Sequence, residues 1–202
     1  MSTRATFDPQ EVEFMSEETM IKIVPLYDMD RIDLITGSIG PFTANESIAE
    51  VPLWIAMTLR KKGKCRVIQP DWLKAIQLRD TFEKEVASVS FASLPFHYLE
   101  IALLLLKFAG DDFEDQHLIR AKIEDIENFR HDKMKMGLRR ISAVDGPMFG
   151  FVLNNISAME INRNREFVCT SLHNLRQIDG ANEEEEDEEE DEQANEEQDD
   201  DD

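Results

Sequence analysis

The rhythm of apolar and polar residues changes near residue 70. Before that point short alternating runs predominate. Thr19 to Pro25, TMIKIVP, sets apolar side chains on either side of Lys22, the period of a half-buried strand. Arg31 to Ile35, RIDLI, repeats the alternation, and Thr36 to Pro41, TGSIGP, is turn chemistry whose glycines reach positive φ. Phe42 opens a third extended segment, so a small twisted sheet is predicted. Asp8-Pro9 pairs an N-cap acid with proline at the first helical position. It predicts a helix of two turns at most, with Val12, Phe14 and Met15 as its apolar residues. Leu53 to Lys62 predicts a second helix with Leu53, Trp54, Met57 and Leu59 inward, ended at Gly63 by a left-handed cap. Cys65 to Ile68 is a short strand.

From Pro70-Asp71 onward the periods are helical. Asp71 to Ala87 is one helix, and Ser88 to Ser93 is a linker. Leu94 to Ala109 is a helix apolar nearly all round, hence buried on most sides, and Gly110-Asp111-Asp112 breaks it. Between Asp115 and Ile141, the residues Ile119, Ile123, Ile126, Phe129, Met134, Leu138 and Ile141 recur mostly three or four apart. A helix of that length is roughly 40 Å long at 1.5 Å per residue. Gly146-Pro147 marks a break or a helix start. Phe149, Phe151, Val152, Ile156, Met159 and Ile161 form a further apolar set, and Arg163 to Arg176 a closing helix. The expected fold class is α+β: a small β-rich domain over residues 1–69, a mainly α-helical domain over 70–180, and a disordered acidic C-terminal tail over 181–202.

Charge sharpens that division. The formal net charge of -21 is concentrated between Glu183 and Asp202, where 16 of 20 residues are acidic and none is basic. The remainder carries 27 acids against 22 bases, so the folded part is only mildly acidic. A segment of this composition cannot bury a core. It reads as a solubilising appendage or as a docking strip for basic partners. The N-terminus, MSTRATFDPQ, has no secretory apolar run, and Cys65 and Cys169 are far apart. Two small buried cysteines in a reducing compartment, cytosol or nucleus, are therefore expected. The apolar window Tyr98 to Ala109 is about half of a membrane span's ~20 residues and contains Glu100 and Lys107. It predicts a buried helix and no membrane.

Catalytic chemistry is sparse. His97, His117, His131 and His173 lie in different predicted helices at no metal-ligand spacing, and neither cysteine belongs to a CxxC pair. No phosphate loop is present, since Gly37 to Gly40 matches neither GxGxxG nor GxxxxGK[ST]. The carboxylates of the folded part read as solvated helix faces. No catalytic, cofactor-binding or metal-binding residues are expected, and no cofactor. One concentration of positive charge stands out: Arg60, Lys61, Lys62, Lys64 and Arg66. It reads as a solvated helix end, a contact for nucleic acid phosphates or an acidic surface, or a weak import signal. No aromatic residue interleaves with it in sequence, which argues against a single-strand stacking platform. Leu103, Leu104, Leu105 and Leu106, followed by Phe108, cover the whole circumference of their helix. Either the domain core is built around them or a partner completes their burial.

Several segments in order carry a family resemblance. They are Ile39-Gly40-Pro41-Phe42, Val51-Pro52-Leu53-Trp54, Lys64-Cys65-Arg66, Pro70-Asp71-Trp72 and, late in the chain, Met159 to Asn162, MEIN. Over residues 8 to about 178 the chain resembles the GINS family, in its second partner-of-Sld-five type. Gly146-Pro147 and Gly150 depart from the family's continuous polar helix, and the acidic tail is outside the family core. The resemblance implies a heterotetramer with three other GINS subunits, whose β-rich domain comes first in this type. It further implies assembly with the MCM ring and its cell-division-cycle factor into the replicative helicase of the nucleus, without catalysis by this chain. The residues expected at subunit or helicase interfaces are Val51, Leu53, Trp54, Trp72, Leu103, Leu104, Leu105, Leu106, Phe108, Met159 and Ile161. The basic cluster is the candidate for DNA contact. The alternatives are an acidic-tailed histone-binding or chaperone-like adaptor and a nucleic-acid-binding module; an enzyme is a distant third.

Overall fold

Asp8 and Glu11 close a reciprocal capping box at the first helix, α1 (Pro9–Ser16), so the predicted start is the observed one. A computed structural model of the chain describes residues 7–35, 37–45, 47–142, 154–166 and 168–170. The expected tail, the Gly146-Pro147 break and Phe149 to Val152 lie outside these. On α1 Val12 is the one apolar residue that turns inward, beside Ser16; Phe14 and Met15, expected as its other apolar residues, are exposed. Eight residues make just over two turns, too few for a three-residue apolar face, so one side chain anchors the helix.

The strand β1 (Met20–Pro25) is the centre of a three-stranded antiparallel sheet. Its neighbours are β4 (Ala49–Pro52), aligned Ile21 to Val51, and β5 (Cys65–Val67), aligned Ile23 to Val67. Ile21, Ile23, Val51, Cys65 and Val67 are all buried. β4 is not predicted by alternation, because it ends directly in α2 (Leu53–Lys61), whose apolar residues mask its period. The segments β2 (Ile32–Leu34) and β3 (Gly37–Ile39) form a separate hairpin, not part of the main sheet. Thus Gly37 to Ile39, expected as turn, is strand. Phe42, expected to open a third strand or extended segment, makes one isolated bridge to Met29 and is buried. Gly40, at φ +92°, holds that arrangement: a Cβ there would meet the Phe42 ring at 3.1 Å. Gly63, at φ +65°, ends α2 as predicted.

After β5 the described elements are helical. Asp71–Leu73 is one 3₁₀ turn, Lys74 is extended, and α3 (Ala75–Ala87) follows, so the single expected helix is two pieces. The helix α4 (Tyr98–Ala109) starts four residues later than predicted, since Pro95 disfavours helical backbone at Leu94. The long helix is α5 (Gln116–Ser142), close to its predicted bounds. Residues 158–166 form α6. Its N-terminus is a second capping box, in which the Ser157 N–H donates to Glu160 Oε2 at 2.9 Å and the Glu160 N–H to Ser157 Oγ at 3.4 Å.

One apolar cluster runs without interruption from Ile21 in the sheet to Ile126 on α5. The leucines of α4 lie in its middle, with α1, α2 and α5 packed against that helix. No helix among the described residues is long and apolar enough to cross a membrane.

Candidate functional site

Arg130 stands on the apolar stripe of α5, between Ile126 and Met134, and is buried with them. A guanidinium has five N–H donors and keeps its charge, so it is tolerated there only if every donor is met. All five are. Nε donates to Glu160 Oε1 at 2.7 Å and Nη2 to Glu160 Oε2 at 2.9 Å, a two-pronged pair. Nη2 also donates to the Asn155 carbonyl at 2.6 Å. Nη1 donates to the Ala92 carbonyl at 3.1 Å and to Glu85 Oε2 at 3.4 Å. The Phe91 and Tyr98 rings flank it, with centroids 4.6 and 5.7 Å from Cζ. Lys133 donates to Glu85 Oε1 at 3.0 Å, so two cations meet two carboxylates. Burial alone would push Glu160 up; the Arg130 hydrogen bonds and charge, with the Ser157 N–H, outweigh it and hold the carboxyl below its usual range. Burial works against charge on Arg130 too, but Glu160 outweighs it and raises its pKa.

The clamp joins α3, α5 and α6, and it explains two letters of the MEIN tetrapeptide. Glu160 binds Arg130. Asn162 fixes the start of the chain: its Nδ2 donates to the Phe7 carbonyl at 2.9 Å, and its Oδ1 accepts the Phe7 N–H at 2.8 Å. The tetrapeptide's interface candidates, Met159 and Ile161, are half-buried and exposed respectively. The carboxylates Glu85, Glu100 and Glu160 are interior rather than solvated helix faces. Two signals in the sequence pointed to this: a Ser-x-x-Glu cap ahead of an apolar run, and an arginine in register with isoleucines.

Glu100, one turn into α4, is the exception to this pairing. Its two oxygens and His97 Nδ1 are buried and have no hydrogen-bond partner among the described residues; the two side chains approach to 4.0 Å. Burial pushes Glu100 up and His97 down. The Met159 N–H faces the Glu100 carboxyl and eases it slightly, without closing a hydrogen bond. A raised folded pKa means the folded chain holds the proton over a range where the unfolded chain releases it, so stability falls as pH rises through that range. Glu100→Met is expected to stabilise the fold at neutral pH by about 1–3 kcal/mol. The gain should shrink as pH falls through the ordinary carboxylate range, because below it Glu100 is neutral in both states. Urea unfolding at several pH values measures it, and equal stability of the two proteins at neutral pH would refute it.

The expected interface residues divide by exposure. Val51, Leu53, Leu104, Leu105 and Leu106 lie in this chain's own core. The first of the two options for the leucine run therefore applies to three of the four. Trp54, Trp72, Phe108 and Met159 are half-buried against that core. Leu103 and Ile161, 45% and 46% exposed, are the most open of the expected set. The basic cluster also narrows. Arg60 makes a two-pronged pair with Asp112, at 2.7 and 3.1 Å, and Asp112 also accepts the Val67 N–H at 3.0 Å. Arg60 is thus a tie between α2, β5 and the end of α4. Lys61, Lys62, Lys64 and Arg66 remain exposed. Phe108, distant in sequence, lies under Lys61, its centroid 4.1 Å from Nζ. Cys65 is buried, and burial first, then the Asp112 charge, pushes its thiol to about 11; Cys169, expected to be buried, is exposed.

Comparison with known proteins decides the family. Residues 8–68 match the model described as PSF2 N-terminal domain, and residues 67–179 match that of the GINS complex protein helical bundle domain. The chain belongs to the PSF2 family of GINS proteins. The "DNA replication complex GINS protein psf2" of Schizosaccharomyces pombe is 35% identical over 173 residues, covering 86% of this chain and 91% of that protein. The human "DNA replication complex GINS protein PSF2" is 31% identical over 172 residues, covering 85% and 91%. The Debaryomyces hansenii relative is 35% identical over 172 residues, covering 84% and 81%. The two family matches overlap at residues 67–68, where β5 ends, yet the apolar core passes through that point unbroken.

Proposed function

We propose that this chain is a non-catalytic subunit of a heterotetrameric GINS complex. That complex joins the MCM ring and its cell-division-cycle factor in the nucleus, forming the replicative helicase for initiation and elongation. The reading rests on one observation above all: the two GINS family matches together span residues 8–179. The exposed apolar side chains outside the core supply sibling contacts in this reading. Lys61, Lys62, Lys64 and Arg66 supply a contact for DNA phosphates or an acidic helicase surface. An interface of obligate size, about 2,000 Å² or more, is expected.

Co-expression of the tagged chain with its three siblings tests this. A one-to-one-to-one-to-one complex should purify, and it should persist after deletion of residues 181–202. A chain that stays monomeric beside its siblings would end the reading. Loss of all association on deleting the tail would favour the acidic adaptor instead.

A further inference from the structure

The outer face of α1 carries a cluster of exposed apolar side chains outside the sites described so far. Phe14 is 73% exposed, Phe7 48% and Met15 47%. With Gln10 and Glu11 they line one shallow cleft. Their exposure is not an accident of a loose end. The capping box fixes the start of α1, Val12 anchors it, and Asn162 holds Phe7 by both its backbone groups. Arg165 of α6 stands over the Phe7 ring at 5.8 Å, and Ile161, one turn earlier on α6, is also exposed. The face therefore bridges α1 and α6, which belong to different family matches.

Charge states what it receives. Glu17 and Glu18 follow Phe14 by three and four positions, and Asp8 and Glu13 precede it; residues 8–18 contain no basic residue. None of Asp8, Glu13, Glu17 and Glu18 forms an ion pair among the described residues. We infer that this face docks a sibling subunit through a segment whose apolar side chains are bracketed by lysine or arginine. The inference rests on the assembly reading for the identity of the partner, and on the residues of α1 for its chemistry. Apolar contact supplies the affinity, and the carboxylates select basic flanks and steer the approach.

The test uses the four co-expressed subunits. Phe14→Glu with Met15→Glu should leave the chain's own unfolding unchanged, because both side chains are exposed, yet weaken capture by the tagged siblings at least tenfold. Glu17→Lys with Glu18→Lys should weaken it several-fold at low salt, with the deficit closing as salt rises. Hydrogen exchange of the α1 amides should slow when the siblings join. If the wild-type chain joins its siblings and the Phe14/Met15 variant joins equally well, this inference is wrong and the assembly reading stands. If the wild-type chain does not join, the assembly reading itself has failed. Exchange at α1 that does not slow when the siblings join overturns the proposal. Assembly unaffected by the charge reversal removes the basic partner chemistry.

Discussion

Arg130→Met should destabilise the chain by about 3–5 kcal/mol, the cost of leaving buried charge without its partner. In a domain of this size that is a fall in Tm on the order of 10 °C. The reason is specific. Removing the guanidinium strands Glu160, which keeps only the Ser157 N–H and a long contact from Tyr98 at 3.4 Å. Glu85 suffers less, since Lys133 and the Ala92 N–H at 2.7 Å still hold it. Adding Glu160→Met to Arg130→Met should therefore recover part of the loss, and Glu85→Met should recover less. Acid should narrow the gap between wild type and Arg130→Met. A carboxyl held below its usual range contributes fully above the unfolded value, about 4.3, and its contribution disappears as pH falls through the folded value. Thermal unfolding across that range measures both effects. A single-site loss under 1 kcal/mol, or a pH-independent gap, would contradict the clamp as described.

Leu105→Ala should cost about 2–5 kcal/mol, while Leu103→Ala two positions away should cost far less. Leu105 is 1% exposed and packed on all sides by this chain, whereas Leu103 is open. The comparison separates two meanings of an apolar helix. If the leucine run existed mainly to meet a partner, truncating either residue would weaken assembly and leave the isolated chain's unfolding nearly unchanged. In the structure Leu105 belongs to the fold and Leu103 is available for contact. Denaturant unfolding of each variant, paired with capture by the sibling subunits, distinguishes the cases. Equal stability losses at the two positions would refute the assignment.

The residues that could be read in advance are those whose signal is local. Asp8-Pro9 and Gly63 announced the ends of α1 and α2, because caps depend on neighbours within one turn. The isoleucines of α5 announced its buried face, because a long helix repeats its period many times. Short strands were harder. β4 has four residues and β3 three, too few for a period of two to emerge against an adjoining helix or a glycine turn. The resemblance to the GINS family rested on segments of three and four residues, and the matches over residues 8–179 bear it out.

The candidate site was less legible. Met159 and Ile161 drew attention as apolar residues of MEIN, but the ordering contacts come from Glu160 and Asn162. Their partners, Arg130 and Phe7, are 30 and 155 positions away. Apart from the Ser157-x-x-Glu160 cap, nothing within a window of a few residues distinguished these buried carboxylates from solvated ones.

Order along the chain was therefore determined by the sequence alone: a β-rich beginning, helices after residue 70, and an acidic end unable to bury a core. Period, caps and composition are properties of near neighbours, and they survive without knowledge of the fold. Only the tertiary structure decided which leucines are core, which cations are already paired, and where Phe7 and Phe14 come to face outward. Burial and pairing depend on residues brought together across long loops, and the chemistry of a charge is set by that company.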